Sequence, residues 1–423
     1  MKYLFIVLLL SITLNSHAQT LAEALPHTVN VDAKRLEKVD KLVQQYIDSG
    51  WINGATAILT RNGKIFYHKG LGYDNIATKT ALRRDAIMRI ASQTKAVTSV
   101  AVMILYEDGK FLLDDPVSKY IPEFKNPVVL ESFNESDTTY TTVPAKSGIT
   151  IRQLLTHTSG LHYAQIGNKT FNAIYRKAGI VAGIGTEKLL LRDVIKKLAA
   201  LPLAHHPGEK YTYGLNTDVL GYLVEVLSGQ TLDNFFRTRI FEPLGMKDTY
   251  FYLPASKHSR LATLYTEDQS KHAVKSPATL DINGTFYVNY PASDGTYLSG
   301  GGGLASTAYD YAIFMQMLLN DGVYNGKRIL SRNTVRIMTT NQIGDLQLGK
   351  NTFGLGFEVI TEKGSATSLV PEGTYSWGGM FSSSYWIDPK EQITGQLFLQ
   401  IYPYSHGDIH EKFKIAVYQA LNN

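Results

Sequence analysis

The chain contains the stretch Met88-Arg89-Ile90-Ala91-Ser92-Gln93-Thr94-Lys95-Ala96-Val97-Thr98-Ser99, which holds its one Ser-x-x-Lys pair, Ser92 and Lys95. Apolar residues continue at helical spacing from Ala96 to Leu105, and Gly109 then supplies a helix stop. The pattern predicts a helix with Ser92 near its first turn. Lys95, three residues further on, is expected on the same helical face.

Serine and lysine at this spacing suit nucleophilic catalysis. A serine hydroxyl is a poor nucleophile until a base removes its proton, and Lys95 is within reach to take or relay that proton. The start of a helix also offers free backbone N–H groups and a positive dipole end, which favour a developing oxyanion. Taken alone the pair is weak evidence, because a chain of this composition contains about one such pair by chance. An ordinary helix with a serine cap and a solvated lysine has the same pattern.

The composition is that of a globular chain and excludes several classes of site. The sequence has 423 residues, of which 44% are hydrophobic and 19% are charged, and it contains no cysteine. Disulfides, thiolate chemistry and cysteine-bound metals are therefore excluded. The net charge of +5 comes from scattered lysines and arginines rather than from a basic stripe, and no His-Glu-x-x-His spacing occurs. We expect no nucleic-acid partner, no metal and no organic cofactor.

The amino terminus has the three parts of a secretory signal. Lys2 forms the charged start, Leu4 to Leu14 the apolar core, and Ser16-His17-Ala18 a small-x-small cleavage site. The apolar run is too short to span a bilayer with ordinary flanks, and no later run is long enough. We therefore predict cleavage after Ala18 and a secreted or periplasmic protein that has no membrane anchor once the signal is removed.

Strand-like segments cluster at both ends of the chain, with helix-like segments between them. Residues 54–70 predict a hairpin around the turn Asn62-Gly63, and strands return beyond residue 353. Residues 131–147 and 281–299 lack periodicity and predict an exposed loop and an irregular segment. Helical patterns cover 31–49, 187–200, 218–228, 232–240 and 409–421, and further helices begin at the caps Thr150 and Thr307. This order favours an α/β part at about 19–85 and 300–423 and an inserted helical part at about 86–299.

Several further motifs occur in one order along the chain. They are Leu113-Asp114-Asp115-Pro116-Val117, Leu154-Leu155-Thr156-His157-Thr158-Ser159-Gly160-Leu161, Pro207-Gly208-Glu209-Lys210, Pro243-Leu244-Gly245-Met246, Gly303-Leu304-Ala305-Ser306-Thr307 and Trp377-Gly378-Gly379. With the Ser92 stretch, they make the chain resemble the serine β-lactamase-like family of class C β-lactamases, D-Ala-D-Ala carboxypeptidases and family VIII carboxylesterases. The resemblance implies a β-lactamase/transpeptidase-like fold, in which an antiparallel sheet flanked by helices comes from both chain ends and a helical domain is inserted.

The resemblance also implies a set of site residues. The catalytic tyrosine that follows Pro-Gly in the family falls on Tyr213, with Tyr211 a near competitor, and the family's asparagine position falls on Leu215, with Asn216 one residue late. Trp377, followed by Gly378 and Gly379, stands where many members have Lys-Thr-Gly, and brings no positive charge. The backbone N–H groups of Ser92 and Met380 would form the oxyanion hole. Which of Lys95 and Tyr213 is the base stays open, since the two would titrate as a coupled pair.

The residues favour a serine hydrolase that cleaves small carboxylic esters through an acyl-enzyme on Ser92. Leu215 and Trp377 are expected to form apolar walls that suit an ester better than a β-lactam. Two alternatives remain: a β-lactamase or D-amino-acid peptidase, and a non-catalytic binding protein on the same scaffold. A Ser-His-Asp triad through His157 is disfavoured, since no Gly-x-Ser-x-Gly elbow is present and His157 suits a structural role at a helix end. The sequence assigns no oligomeric state.

Overall fold

The computed structural model describes residues 21–422 except Ala182, Glu187, Asn283 and Gln347, so the expected signal segment and its cleavage site lie outside the described residues. The helices are α1 (Ala33–Asp48), α2 (Thr94–Glu107), α3 (Ile151–Leu155), α4 (Lys169–Lys177), α5 (Leu191–Ala199), α6 (Asn216–Ser228), α7 (Leu232–Phe236), α8 (Glu242–Leu244), α9 (Ala308–Leu319), α10 (Arg332–Met338), α11 (Glu362–Ser365) and α12 (Ile409–Tyr418).

Strands are found mainly near the two chain ends, with short pairs between them. They are β1 (Ala22–Glu23), β2 (Gly54–Arg61), β3 (Lys64–Asn75), β4 (Thr80–Ala81), β5 (Met88–Arg89), β6 (Val128–Phe133), β7 (Tyr140–Pro144), β8 (Tyr265–Glu267), β9 (Ala273–Lys275), β10 (Thr279–Asp281), β11 (Thr285–Tyr287), β12 (Ala305–Ser306), β13 (Val323–Tyr324), β14 (Lys327–Arg328), β15 (Thr352–Phe353), β16 (Glu358–Val359), β17 (Tyr375–Gly379), β18 (Ser383–Asp388) and β19 (Ile393–Phe398).

The main sheet joins both ends of the chain. Its order is β1-β3-β2-β19-β18-β17-β16-β15, with β4 paired to β3. Every pair is antiparallel except β1 with β3, which is parallel, so the sheet is mixed rather than wholly antiparallel. The predicted hairpin is formed by β2 and β3. Asn62 and Gly63 have φ values of 52° and 72°, the left-handed conformation that a two-residue hairpin turn of this type requires.

Helices cover both faces of the sheet because its central strands are apolar on both sides. Leu59 and Trp386 face α1 and α12, whereas the neighbouring residues Ile58 and Tyr385 belong to the core that contains α2 and α9. That second core continues into the helices between the chain ends. The boundaries expected at residues 85 and 300 stay predictions, since the packing is continuous there. No helix in the described part of the chain is long and apolar enough to cross a membrane.

Residues 131–147 are mostly exposed, as predicted, but the prediction of a loop was wrong for residues 131–133 and 140–144, which belong to a hairpin. Strand β6 runs antiparallel to β7, and the hydroxyls of Ser132 and Thr141 lie 2.7 Å apart across the pair. The Leu130 N–H donates to the carbonyl of Leu203 at 2.9 Å and ties the hairpin to the core. The apolar residues of β6, which are Val128, Val129, Leu130 and Phe133, do not alternate with polar ones, so the segment lacks the pattern that marks a half-buried strand. Val129 of β6 is buried in the main core, Leu130 and Val143 pack against that core, and the cross-strand hydroxyl contact adds to this packing.

Several other elements differ from expectation in extent. The segment expected to be irregular contains β11, which pairs with β10, and helices α4 and α10 were not predicted. The caps were predicted correctly: Thr150 forms a reciprocal capping box with Gln153, and the Thr307 hydroxyl accepts from the backbone of Asp310 at 3.1 Å. The starts of helices were therefore easier to predict from the sequence than short strands.

Candidate active site

A 3₁₀ turn places Ser92 immediately before α2. The preceding residue, Ala91, has a φ of 42°, in the left-handed region that residues with a side chain rarely adopt. Arg89 fixes the strand that leads into the turn: its fully buried guanidinium donates to the carbonyls of Ala262 at 2.7 Å and Val288 at 2.8 Å. The backbone thus presents Ser92 at a constrained bend between β5 and α2.

The structure brings Ser92, Lys95 and Tyr213 together. The Tyr213 hydroxyl lies 2.7 Å from Ser92 Oγ, and Lys95 Nζ lies 3.2 Å from the same atom. Tyr213 reaches Ser92 from the loop before α6. Lys95 lies three residues after Ser92, in the first turn of α2. Two polar groups therefore contact one hydroxyl, as proton removal from a serine and its later return require.

A second tyrosine, Tyr163, completes the surroundings of Lys95. The sequence did not predict it as a site residue. Lys95 is 2% exposed, and its Nζ donates to the Tyr163 hydroxyl at 2.8 Å and to the Gly301 carbonyl at 2.6 Å. Burial raises the pKa of Tyr163 well above its usual value, and neighbouring Tyr213 and Asp218 raise it further, so Tyr163 stays protonated near neutral pH. Its only sequence signal is its place just after the Ser159-Gly160-Leu161 motif.

His157 supports Tyr213 rather than acting as a base. Its ring is 4.9 Å from the Tyr213 ring, and its Nδ1 pairs with Asn216 Nδ2 at 3.0 Å. Burial lowers the pKa of His157 well below its usual value, and the nearby charge of Lys95 lowers it further, so the imidazole is neutral. Among the described residues, no hydrogen bond joins His157 to Ser92, and a Ser-His-Asp arrangement is not formed.

Leu215 and Asn216 do not contact the cavity, so their expected role in substrate binding is contradicted by their placement. Both are fully buried at the start of α6. Leu215 packs in the main hydrophobic core. The Asn216 amide is occupied by hydrogen bonds to the Ser159 hydroxyl and to His157. Asn216 stands one residue later than the asparagine of the family's Tyr-x-Asn motif. One further residue along a helix turns a side chain to a different face, so the Asn216 amide lies on the inner side of α6. The motif alone did not show this.

Strand β17 forms one wall of a cavity of about 590 Å³ that opens beside Ser92. Trp377, Gly378, Gly379 and Met380 all line it, as expected from the sequence. A Cβ atom on Gly379 would lie 2.5 Å from the Ile90 carbonyl oxygen, so only glycine lets the strand end approach the Ser92 turn this closely. Trp377 stacks at an angle on Tyr213, with ring centroids 5.5 Å apart.

The edge of β17 beside Ser92 is open to the cavity. Strand β16 pairs with β17 only at Tyr375 and Ser376, so among the described strands none covers the other side of Trp377, Gly378 and Gly379. A substrate can therefore approach the strand backbone. Met380 and Ser92 line the same cavity, which is the placement that an oxyanion hole from their backbone N–H groups requires.

The cavity is also lined by a partly exposed cation, Lys414 of α12, which supplies a positive charge that Trp377, at the family's lysine position, does not bring. Lys414 is 22% exposed, and among the described carboxylates only that of Glu411 lies within 4.0 Å of its Nζ, at 3.9 Å. Ser384 lies on the same wall, with its hydroxyl 2.8 Å from His410 Nδ1. Glu358 lines the cavity too and accepts from Asn351 Nδ2 at 2.6 Å. Lys414 was missed because the fold, not the sequence order, brings α12 to this site.

The described residues contain no group of three or more His, Asp or Glu side chains arranged to hold a metal ion. The chemistry that the site offers is that of its own side chains: a hydroxyl, an amine and two phenols in one hydrogen-bonded cluster. Such a cluster can activate a serine, hold an acyl group on it and return a proton to a leaving group.

Known proteins resemble this chain over most of its length. Protein Rv1367c of Mycobacterium tuberculosis is 33% identical over 83% of this chain and 86% of its own, and Esterase EstB of Burkholderia gladioli is 28% identical over 87% and 91%. The solved structure of EstCE1, a hydrolase with promiscuous acyltransferase activity, is 27% identical, covers 91% of this chain and 99% of its own, and has a TM-score of 0.78. The predicted family and the β-lactamase/transpeptidase-like fold are thereby confirmed. The Beta-lactamase family model matches residues 39–418, and the chain belongs to this family of serine hydrolases.

Proposed function

We propose that this protein is a secreted carboxylesterase that acts through an acyl-enzyme on Ser92. The observation that carries the proposal is the contact of Ser92 Oγ with both Tyr213, at 2.7 Å, and Lys95, at 3.2 Å, at the open edge of β17. A non-catalytic binding protein would not need a serine, a lysine and a tyrosine in direct contact. Secretion rests on the signal pattern of residues 1–18.

The reaction begins when Ser92 Oγ attacks the ester carbonyl carbon and its proton passes to the pair Lys95 and Tyr213. The carbonyl oxygen becomes an oxyanion, which the backbone N–H groups of Ser92 and Met380 stabilise. The C–O bond to the alcohol then breaks, and the pair returns the proton to the leaving alkoxide. Water next attacks the acyl carbon, the pair takes its proton, and Ser92 regains that proton as the carboxylic acid leaves.

Esters are favoured over β-lactams by the walls of the cavity. Trp377, Ile184 and Tyr402 give an apolar lining close to Ser92. The amide of Asn216 is occupied by Ser159 and His157, so it cannot bind the side-chain amide of a β-lactam. A buried polar group of a substrate that finds no partner costs about 1–3 kcal/mol. The similarity to Esterase EstB supports the same choice.

A second candidate, amide hydrolysis of a β-lactam or a D-amino-acid peptide, is favoured by Lys414. This cation and the hydroxyl of Ser384 line the cavity and offer partners for a substrate carboxylate, which an ester of a simple alcohol lacks. The variant Lys414→Met separates the two candidates. It would weaken turnover of carboxylate-bearing amides through a higher KM and leave short esters nearly unchanged.

The test is a substrate panel run on the wild type, Ser92→Ala and Lys414→Met. We expect short-chain p-nitrophenyl esters to be turned over at least about 100-fold more efficiently, by kcat/KM, than nitrocefin or D-Ala-D-Ala peptides. A fluorophosphonate probe should label Ser92 and no other serine, as mass spectrometry of the labelled peptide will show. Efficient amide turnover that depends on Lys414, with feeble ester turnover, would favour the second candidate. Absence of both labelling and turnover would point to a binding protein.

A further inference from the structure

One buried carboxylate beside the cavity has no part in the reaction described above. Asp218 lies in the first turn of α6, is 1% exposed and lines the cavity together with Ser299 and Tyr163. The Ser299 hydroxyl donates to its Oδ1 at 2.7 Å, whereas Oδ2 makes no side-chain hydrogen bond within the described part of the chain. A buried carboxylate is costly to keep ionised, so its position calls for a reason.

The glycine run 300–303 brings the chain directly against this carboxylate. A Cβ atom on Gly301 would lie 2.5 Å from Asp218 Oδ2, and one on Gly183 would lie 3.5 Å from the same oxygen. The Gly301 carbonyl accepts from Lys95 Nζ at 2.6 Å. The Gly300 carbonyl accepts from the Thr98 hydroxyl at 2.7 Å, one turn after Lys95 on α2. A single glycine residue therefore separates the carboxylate of Asp218 from the amine of Lys95.

Lys95 otherwise lacks a counter-charge. Its three hydrogen-bonding partners, the Ser92 hydroxyl, the Tyr163 hydroxyl and the Gly301 carbonyl, are neutral oxygens, and no described carboxylate lies within 4.0 Å of its Nζ. The charges of Asp218 and Lys95 attract each other across Gly301. Because Asp218 and Lys95 are both almost fully buried, the effective dielectric constant between them is low and their attraction persists beyond direct contact.

We propose that Asp218 is a positioning residue that acts through Gly301 to stabilise the positive charge of the Lys95–Tyr213 pair while this pair holds the proton of Ser92. The inference rests on the proposed acyl-enzyme function. Asp218 keeps the Gly301 carbonyl in place as an acceptor for Lys95 and supplies the negative charge that offsets the ammonium. Ser92 therefore loses its proton more readily when Asp218 is ionised than when it is neutral.

The proposal predicts a step in the pH dependence of the reaction. Burial raises the pKa of Asp218 to about 6, although Ser299, Lys95 and Gly301 lower it in part. The other titratable groups that face it are Lys95, Tyr163 and Tyr297, and burial raises the pKa of both tyrosines well above their usual value, so they keep their protons. The buried carboxyl is therefore ionised above about pH 6 and neutral below it. As the pH falls through this range, the wild-type rate should fall towards that of a variant without the charge.

The experiment compares wild type, Asp218→Asn and Ser299→Ala by two measurements between about pH 5 and pH 9. The first is the rate at which a fluorophosphonate probe labels Ser92, which needs no substrate, and the second is kcat and KM on a p-nitrophenyl ester. Asp218→Asn should lower the labelling rate and kcat by about tenfold or more at pH 8, with KM within about threefold, and should abolish the step near pH 6. Its Tm should change little, because the variant removes a costly buried charge and, in the opposite direction, the counter-charge of Lys95. Ser299→Ala, which keeps the charge, should keep the step.

Three results would overturn the inference. Asp218→Asn with wild-type rates would do so, as would a step near pH 6 that persists in this variant. A loss of rate that comes with a lower Tm and with fewer labelled sites would show a structural role instead. The failure of the proposed function is distinct from these, since the wild type itself would then resist labelling at Ser92.

Discussion

Two tyrosines in the loop before α6, Tyr211 and Tyr213, have opposite surroundings, and this contrast yields a matched test at the scale of single residues. The Tyr213 hydroxyl is 2.7 Å from Ser92 Oγ, whereas the Tyr211 hydroxyl is buried and makes no hydrogen bond to any described residue. Tyr213→Phe removes one of the two groups that share the serine proton, so we expect kcat to fall by on the order of 100-fold with the fold intact. Tyr211→Phe should leave kcat within about twofold and should not lower the free energy of unfolding, since it removes an unsatisfied buried hydroxyl.

Steady-state kinetics and denaturant unfolding of both variants check this expectation. Tyr163→Phe belongs in the same series, because it removes the hydroxyl that accepts from Lys95 at 2.8 Å without touching Ser92. We expect its kcat to lie between those of the other two. A large loss in Tyr211→Phe with a small one in Tyr213→Phe would mean that the tyrosine after Pro207-Gly208 had been assigned wrongly.

The sequence predicted those site residues whose spacing is local or whose motif is well defined. Ser92 and Lys95 belong to one helix start, and Tyr213 follows a Pro-Gly pair, so each could be identified without the fold. Leu215 and Asn216 were misplaced because a single extra residue decides which side of α6 they face. Tyr163, Asp218 and Lys414 come from three distant segments, and only tertiary structure brings them to the cavity.

At the scale of elements, the contact between α12 and β18 contains a half-buried histidine, and we expect it to make stability depend on pH. His410 Nδ1 lies 2.8 Å from the Ser384 hydroxyl, and burial lowers the pKa of His410 to about 4. In the unfolded chain a histidine has a pKa of about 6.5, so between these values the unfolded state binds more protons than the native state. The contribution of neutral His410 to the free energy of unfolding is therefore fully present above about pH 6.5 and is lost as the pH falls towards 4.

We expect the protonation of His410 to lower the free energy of unfolding by about 3 kcal/mol as the pH falls from about 7 to about 4. His410→Gln keeps a hydrogen-bonding partner for Ser384 but cannot titrate. The difference in unfolding free energy between wild type and variant, measured in urea at several pH values, should shift by that amount in favour of the variant between about pH 7 and pH 4. Asp218 and His157 titrate equally in both proteins, so their contributions cancel. A difference that is constant with pH would show that His410 is not buried as neutral imidazole.

Elements with a strong local signal were predicted well, and those held by tertiary contacts were not. The Asn62-Gly63 turn and the caps Thr150 and Thr307 each encode their geometry in two to four residues. By contrast, β6 and β7 depend on the packing of Val129 in the main core, on a hydroxyl contact and on the backbone of Leu203. No periodicity of hydrophobic residues marks such a hairpin, so composition alone favoured a loop.

At the scale of the whole molecule, the first strand lies at one edge of the main sheet, and its packing bears on where a chain cleaved after the proposed signal should begin. Leu21 is buried and its N–H donates to the Tyr324 hydroxyl at 2.9 Å. Strand β1 follows at once and pairs with Lys64 and Ile65 of β3. Cleavage after Ala18 would leave this packing complete, whereas cleavage after Ala24 would remove it.

If the proposed signal is cleaved, we expect the mature chain to begin near Gln19, and N-terminal sequencing of material recovered outside the cytoplasm tests this. A chain that begins at Leu25 should have a free energy of unfolding lower by about 2–4 kcal/mol than one that begins at Gln19, because it loses the burial of Leu21 and the hydrogen bonds of β1. The exposed ion pair of Glu23 with Arg84 should add little to that loss. The matched control is Glu23→Gln in the chain that begins at Gln19. This variant removes only the ion pair, so its free energy of unfolding should stay within about 0.5 kcal/mol of that of the unmodified chain. Equal stability of the two chains would mean that β1 does not anchor the sheet, and an exported chain that still carries Met1 would contradict the signal prediction.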